Sequence, residues 1–199
     1  MRIGIIGGGA IARLVLEHIR DGALGDVRVV AIAGRGPQSR GKPLAEAFGI
    51  PFVVGLDALA ATKPEAVVEA ASHDAVREYG EALLGRGISF VALSGGALCD
   101  DALRDRLERA AAQNRALLYV PSGGIGGLDT LKAVCLAGAD EVSIPVTKPP
   151  VAWKGIPYVE KLGVDLEGMK AATVLFDGSA REGVPHFPAN VNIAAVLSM

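Results

Sequence analysis

The sequence predicts an α/β fold: a doubly wound parallel sheet covered by helices on both faces, followed by a partial second, α+β domain. Three observations carry this expectation. Near-continuous apolar runs alternate with helical stretches up to about residue 120, the pattern of parallel strands buried on both faces. The chain opens on an apolar run, a glycine turn and an amphipathic stretch, in that order. After about residue 138, apolar and polar residues alternate, as they do along half-exposed strands.

Each element has a local reason. Arg2 to Ile6 reads as the first strand, and the helix after the glycines runs through Arg20. Val27 to Ala33 is a second strand, stopped by Gly34-Arg35-Gly36-Pro37. Ser39 to Phe48 reads as helix, with Gly49 as its stop. Pro51 to Val54 is a third strand and Leu56 to Ala61 a short helix. Ala66 to Ala71 is a fourth strand, after which Ser72-His73-Asp74 caps a helix to about Gly85. Ile88 to Leu93 is a fifth strand, followed by Ser94-Gly95-Gly96-Ala97. Asp100 or Asp101 then caps a helix to Asn114, and Ala116 to Val120 is a sixth strand. A second glycine-rich turn, Pro121 to Gly127, leads into a helix from Leu128 to Leu136.

Residues 1–138 are thus expected to form the first domain and 139–199 the start of the second. In the latter, Asp140 to Thr147 and Ala172 to Gly178 read as strands, and Val191 to Met199 as an apolar helix. Gly183-Val184-Pro185 predicts a loop or a shortened helix. The chain stops at Met199 inside an apolar run with no polar terminus. The C-terminal part of the second domain is therefore expected beyond it.

Composition narrows the function. Half of the 199 residues are hydrophobic and the net charge is −2, with 20 Lys and Arg scattered along the chain. That balance gives no case for nucleic acid. No apolar run approaches the ~18–20 residues that span a membrane. No leader is read before the first strand, so the expected location is the cytoplasm. Cys99 and Cys135 lack metal-ligand spacing and lie in apolar stretches, which reads as packed thiols. A thiohemiacetal mechanism on either is discounted, because neither has an evident partner to lower its pKa.

In a doubly wound sheet, ligands bind beyond the carboxyl ends of the strands. The loops to read are therefore 7–12, 34–40, 71–74, 94–97 and 121–126. The first fits G-x-G-x-x-A, the fingerprint of a Rossmann-type dinucleotide site, and it stands between a strand and a helix as that site requires. Gly7 permits the tight turn, Gly9 lets a pyrophosphate reach the backbone, and Ala12 lets the helix lie close to the strand. Ala10 and Ile11 open the helix, whose N-terminus attracts phosphate. An NAD-specific site usually carries an acid at the end of the second strand. Here that end is Ala33-Gly34-Arg35-Gly36. Arg35, with Ser39 and Arg40, suits the 2′-phosphate of NADP, against the plainer reading of a solvated arginine. Ser72, His73, Ser94 and Gly95 sit on the next two strand-end loops. Ser122, Gly123 and Gly124 form either a backbone N–H cradle or a turn that needs positive φ.

Taken together, SGGALCD (94–100), PSGGIGGLDTLKA (121–133), TKPP (147–150), LFDGSARE (175–182) and FPANVNIAAVLS (187–198) resemble the L-aspartate dehydrogenase family. The resemblance covers essentially the whole chain. It implies NAD(P)-dependent oxidative deamination of L-aspartate to iminoaspartate, which leads to oxaloacetate and ammonia or feeds NAD biosynthesis. It also implies a Rossmann domain, a second α+β domain and a homodimer. Gly124 stands where the family has a cofactor-contacting residue, usually alanine, and Asn190 stands at a second contact. The family's catalytic histidine falls after the FPxNVN helix, beyond Met199.

Several residues keep two readings. Asn190 can hold a nicotinamide carboxamide or cap the helix that follows. His73 reads as a helix-capping surface histidine ahead of a cofactor contact, His18 as structural, and His186 as a weak candidate base. Lys148 can bind a substrate carboxylate or be solvated. The alternative functions are another oxidoreductase, homoserine-dehydrogenase-like or dihydrodipicolinate-reductase-like, and a non-catalytic NAD(P)-binding module.

Overall fold

The computed structural model of the chain describes residues 1–187 and 192–199. Two compact units are present, Met1–Pro121 and Ser122–Met199.

The first unit holds β1 (Arg2–Ile6), α1 (Ala10–Arg20), β2 (Arg28–Gly34), α2 (Gly41–Phe48), β3 (Phe52–Val54) and α3 (Gly55–Ala61). It continues with β4 (Ala66–Glu69), α4 (His73–Leu84), β5 (Ser89–Ala92), α5 (Asp101–Gln113) and β6 (Leu118–Tyr119). The strands form one parallel sheet in the order β3-β2-β1-β4-β5-β6. That is the order of the doubly wound dinucleotide fold, with its switch point between β1 and β4.

Strand periodicity assigns the two layers. Side chains two apart share a face, so Ile5 and Ile32 meet Ala12 and Leu16 of α1 and Leu44 and Ala45 of α2. Ile6, Ala31, Ala33 and Val67 face the other way, onto Leu59 of α3, Tyr79 and Leu83 of α4, and Leu103 and Leu107 of α5. Both layers are apolar, which is why polar residues in β1, β2, β4 and β5 are confined to strand ends: Arg2, Arg28 and Ser89 at the amino ends and Glu69 at a carboxyl end. Surface ion pairs such as Glu81 with Arg106, at 3.0 Å, join α4 to α5; exposed pairs of this kind contribute little.

The helix ends follow the capping rules. The Ser72 hydroxyl accepts from the Ala75 N–H at 3.3 Å. Asp100, rather than Asp101, caps α5 by accepting from the Leu103 N–H at 3.1 Å. A 3-10 turn, Gly95–Cys99, fills what reads in the sequence as loop.

The second unit contains α6 (Leu128–Ala137), a 3-10 turn at Pro150–Trp153, α7 (Pro157–Lys161), α8 (Ala180–Gly183) and α9 (Asn192–Leu197). Its packing is aromatic. Phe187, 4% exposed, meets Trp153 edge-on at 5.7 Å and Tyr158 at 5.2 Å. Phe176 joins them, 5.9 Å from Phe187. α8 is the shortened helix expected before Pro185, opened by a reciprocal capping box between Ser179 and Glu182.

The strands expected at 140–147 and 172–178 do not form; both segments are irregular, and among the described residues this unit has no strand. Alternation specifies which side chains share a face, but a strand also needs a neighbour to satisfy its N–H and C=O groups. With none paired here, Val142 and Val174 remain 44% and 78% exposed. The cysteine reading also needs correction: Cys99 is half-buried but Cys135 is exposed. α6 has no buried residue, so its apolar sequence did not bury its thiol.

Phe90 of β5 is fully buried in the larger core layer. Phe90→Ala is expected to lower the urea unfolding free energy by about 3–5 kcal/mol with an unchanged m-value.

Candidate functional site

The carboxyl ends of β1, β2, β4 and β5 carry the candidate residues of the first unit. At the switch point, β1 pairs with β2 on one side and β4 on the other. The Gly7 N–H donates to the Ala33 carbonyl at 3.2 Å, and the Ala70 N–H donates to the Ile6 carbonyl at 2.9 Å.

The three glycines after β1 are not equivalent. Gly7 has φ +112°, and a Cβ there would strike the Ala70 carbonyl. A Cβ on Gly8 would strike the backbone of Arg40 and Gly41, so the loop after β2 packs directly against this turn. Sequence reading gave Gly8 no role. Its only signal is that it lies inside a run of three glycines. Gly9 is different: nothing lies within 4 Å of where its Cβ would be. It is the N-cap of α1, with no side chain bonded to the helix end and no acid in the first turn. Ala10 and Ile11 are exposed beside it, and Ala12 is fully buried against the sheet. An uncapped helix start with open space in front of it is the cradle that a pyrophosphate requires.

At the end of β2, Arg35 is exposed. The Ser39 hydroxyl accepts from the Gly36 N–H at 3.1 Å, which folds the loop back on itself. Burial pushes the Tyr79 phenol above its ordinary pKa, Glu78 adds to this, and the positive charge of Arg35 opposes it.

The residue that sequence reading missed is Glu69. It ends β4 and is fully buried, the sole such polar side chain among the described residues. Its Oε1 accepts from the N–H groups of Ala71 and Ser72 at 2.7 and 2.8 Å and from the Ser94 hydroxyl at 3.0 Å. Its Oε2 accepts from the Ser94 N–H at 2.9 Å. One carboxylate therefore holds the loops that carry Ser72, His73, Ser94 and Gly95. A signal existed: an acid inside the run Ala66-Val67-Val68-Glu69-Ala70-Ala71 has to find donors where water is absent.

In the second unit, Gly123 has φ +60°, and the Ile125 N–H donates to the Ser122 carbonyl at 3.1 Å. The segment is thus the tight turn that one of the two readings required. A Cβ on Gly124 would lie 3.3 Å from Cδ1 of Ile193, so this turn adjoins the start of α9. Asn190 lies outside the described residues.

The remaining candidates lie as follows. His18 is exposed in the last turn of α1. His73 is the first residue of α4, whose cap is Ser72. His186 stacks on Tyr158 at 4.2 Å. The Lys148 ammonium lies over the Trp153 ring at 5.6 Å. An open recess of about 440 Å³, lined by Leu16, Ile19, Val29, Phe48 and Ile50 among others, lies at the amino end of β2, away from the polar loops. Among the described residues there is no cluster of potential metal ligands, and no helix is long and apolar enough to cross a membrane.

Residues 7–121 match the family described as the NAD-binding domain of homoserine dehydrogenase. Residues 129–199 match the family described as aspartate dehydrogenase, C-terminal. The chain is 36% identical over 198 residues to an L-aspartate dehydrogenase of Methanocella arvoryzae, covering all of this chain and 73% of that protein. It is 38% identical to one from Serratia proteamaculans, covering all of this chain and 72% of that protein. The crystal structure of aspartate dehydrogenase from Thermotoga maritima superposes with a TM-score of 0.73 at 29% identity, over all of this chain and 72% of that one.

The contrast between the glycines gives a paired test. Gly9→Ala is expected to unfold at the wild-type urea midpoint yet bind NADPH at least about tenfold more weakly, because a methyl group occupies the phosphate approach. Gly7→Ala is expected to lose at least about 1–3 kcal/mol of stability, from positive φ, with the clash on the Ala70 carbonyl adding to it.

Proposed function

The chain belongs to the L-aspartate dehydrogenase family, and from this we infer that the protein oxidises L-aspartate with NAD or NADP. The observation that carries the reading is Gly9: it faces open space at the uncapped start of α1, at the switch point of the sheet. It does so in a chain that L-aspartate dehydrogenases match from end to end.

When bound, the nicotinamide supplies the hydride acceptor for the substrate's Cα. The ammonium group loses a proton, and the resulting iminoaspartate adds water to give oxaloacetate and ammonia. The chain's own part is to bind and orient. The N–H groups of Ala10, Ile11 and Ala12 take the pyrophosphate, with Gly7 shaping the turn and Gly9 leaving room for it. Arg35 binds the 2′-phosphate of NADP. Ser72, His73, Ser94 and Gly95 line the other half of the crevice. Ser122, Gly123 and Gly124 of the second unit, with Asn190, remain cofactor contacts on the strength of the family resemblance. A homodimer working in the cytoplasm belongs to the same reading, and sedimentation at twice the chain mass would support the dimer.

The homoserine-dehydrogenase-like alternative rests on the first 121 residues alone, and the match over 129–199 weighs against it. The decisive assay is L-aspartate-dependent reduction of NAD and NADP, with D-aspartate, L-glutamate and L-homoserine as controls. Turnover with L-aspartate alone is expected. Tight NADPH binding without turnover would instead leave a binding module. Arg35→Ala is expected to raise KM for NADP by about tenfold, the scale of one charge-assisted contact, while KM for NAD changes little.

A further inference from the structure

We propose that Glu69 is a positioning residue for the nicotinamide half of the crevice, acting through the loops that end β4 and β5. The inference rests on the dinucleotide reading of the site and assigns a task to a residue that reading leaves unused.

Its basis is the donor count. Four donors converge on the two oxygens: the N–H groups of Ala71, Ser72 and Ser94, and the Ser94 hydroxyl. A carboxylate offers acceptors only, about two sites on each oxygen; Oε1 takes three of the donors and Oε2 the fourth. No other common side chain of this length offers two acceptor oxygens. Glutamine would turn an NH2 group toward at least one of these donors, and alanine would leave all four without their common acceptor.

What Glu69 holds is local and one-sided. Ala71 and Ser72 precede α4, and the Ser72 hydroxyl in turn caps that helix at 3.3 Å. Ser94 opens the 3-10 turn Gly95–Cys99. All of this lies on the β4 and β5 side of the switch point. The β1 turn, the start of α1 and the end of β2 lie on the other side. Each half of a doubly wound sheet serves one mononucleotide. A carboxylate that ties β4 to β5 therefore acts on that half of the crevice; the segment it holds meets the other half at Gly7, beside Ala70 and Ala71. Fold stability by itself does not call for a buried charge here, because an apolar pair of the same shape is often no less stable.

The test separates positioning from general destabilisation. Calorimetric titration of the 199-residue chain compares NADPH with 2′-phospho-ADP-ribose, the same ligand without its nicotinamide. If the wild type prefers NADH, ADP-ribose is the matching fragment. Glu69→Gln is expected to weaken the dinucleotide by about tenfold or more, the scale of a lost charge-assisted hydrogen bond, with the fragment's Kd unchanged. Ser94→Ala removes the hydroxyl donor but keeps all three N–H bonds. It is expected to shift the dinucleotide alone, by a few-fold, and it decides the matter if Glu69→Gln fails to fold. Equal losses for both ligands, or no loss for either, would overturn the proposal. A wild-type chain that binds neither ligand would overturn the dinucleotide reading and this one with it.

Discussion

β1 is paired on both edges, and the chain enters its two neighbours from opposite faces of the sheet. It reaches β2 through α1, which packs on the layer containing Ile5 and Ile32, and β4 through α3, which packs on the layer containing Ile6 and Val67. The helices therefore diverge at one place only, beyond the carboxyl ends of β1 and β4. The buried carboxylate of Glu69 and the glycine turn after β1 both lie at that divergence. The two apolar layers force it: a side chain that needs water or a ligand has no place along the strands and must wait for their ends.

At that edge the backbone does the fastening. Gly7 locks β1 to Ala33 and lies against Ala70. Gly8 accepts the close approach of the loop carrying Arg40 and Gly41. Glu69 draws the Ala71–Ser72 and Ser94 segments together on the far side. The crevice is thus bounded by main chain fixed on both flanks, and Gly9 is the point between them that has been left bare. A preformed boundary of this kind spares a ligand the entropy of ordering the loops it touches.

Much of this could be read from the residues. The strands of the first unit announce themselves because a sheet buried on both faces admits few polar residues, and the glycine spacing before Ala12 has one common use. Ser72 and Asp100 are caps by type and place. What escaped reading is what depends on partners distant in the chain. Glu69 looks like one more strand residue until the donors of Ser94, 25 residues away, are set beside it. The alternation at 140–147 is real, but pairing is a property of two segments, and periodicity describes one. Cys135 sits in an apolar stretch, yet burial depends on what covers α6, which its own sequence does not contain.

The aromatic packing of the second unit has an optical consequence. The chain has a single tryptophan, and Trp153 is held against Phe187 and beneath the Lys148 ammonium. Indole emission therefore reports on Ser122–Met199 alone, while the parallel sheet is silent at that wavelength and contributes through backbone dichroism. Indole emission thus labels the second unit alone, whereas backbone dichroism sums over the helices of both. Whether the two units melt as one cooperative body or as two becomes a comparison of two curves on one sample, since coincidence of probes is the mark of a single transition.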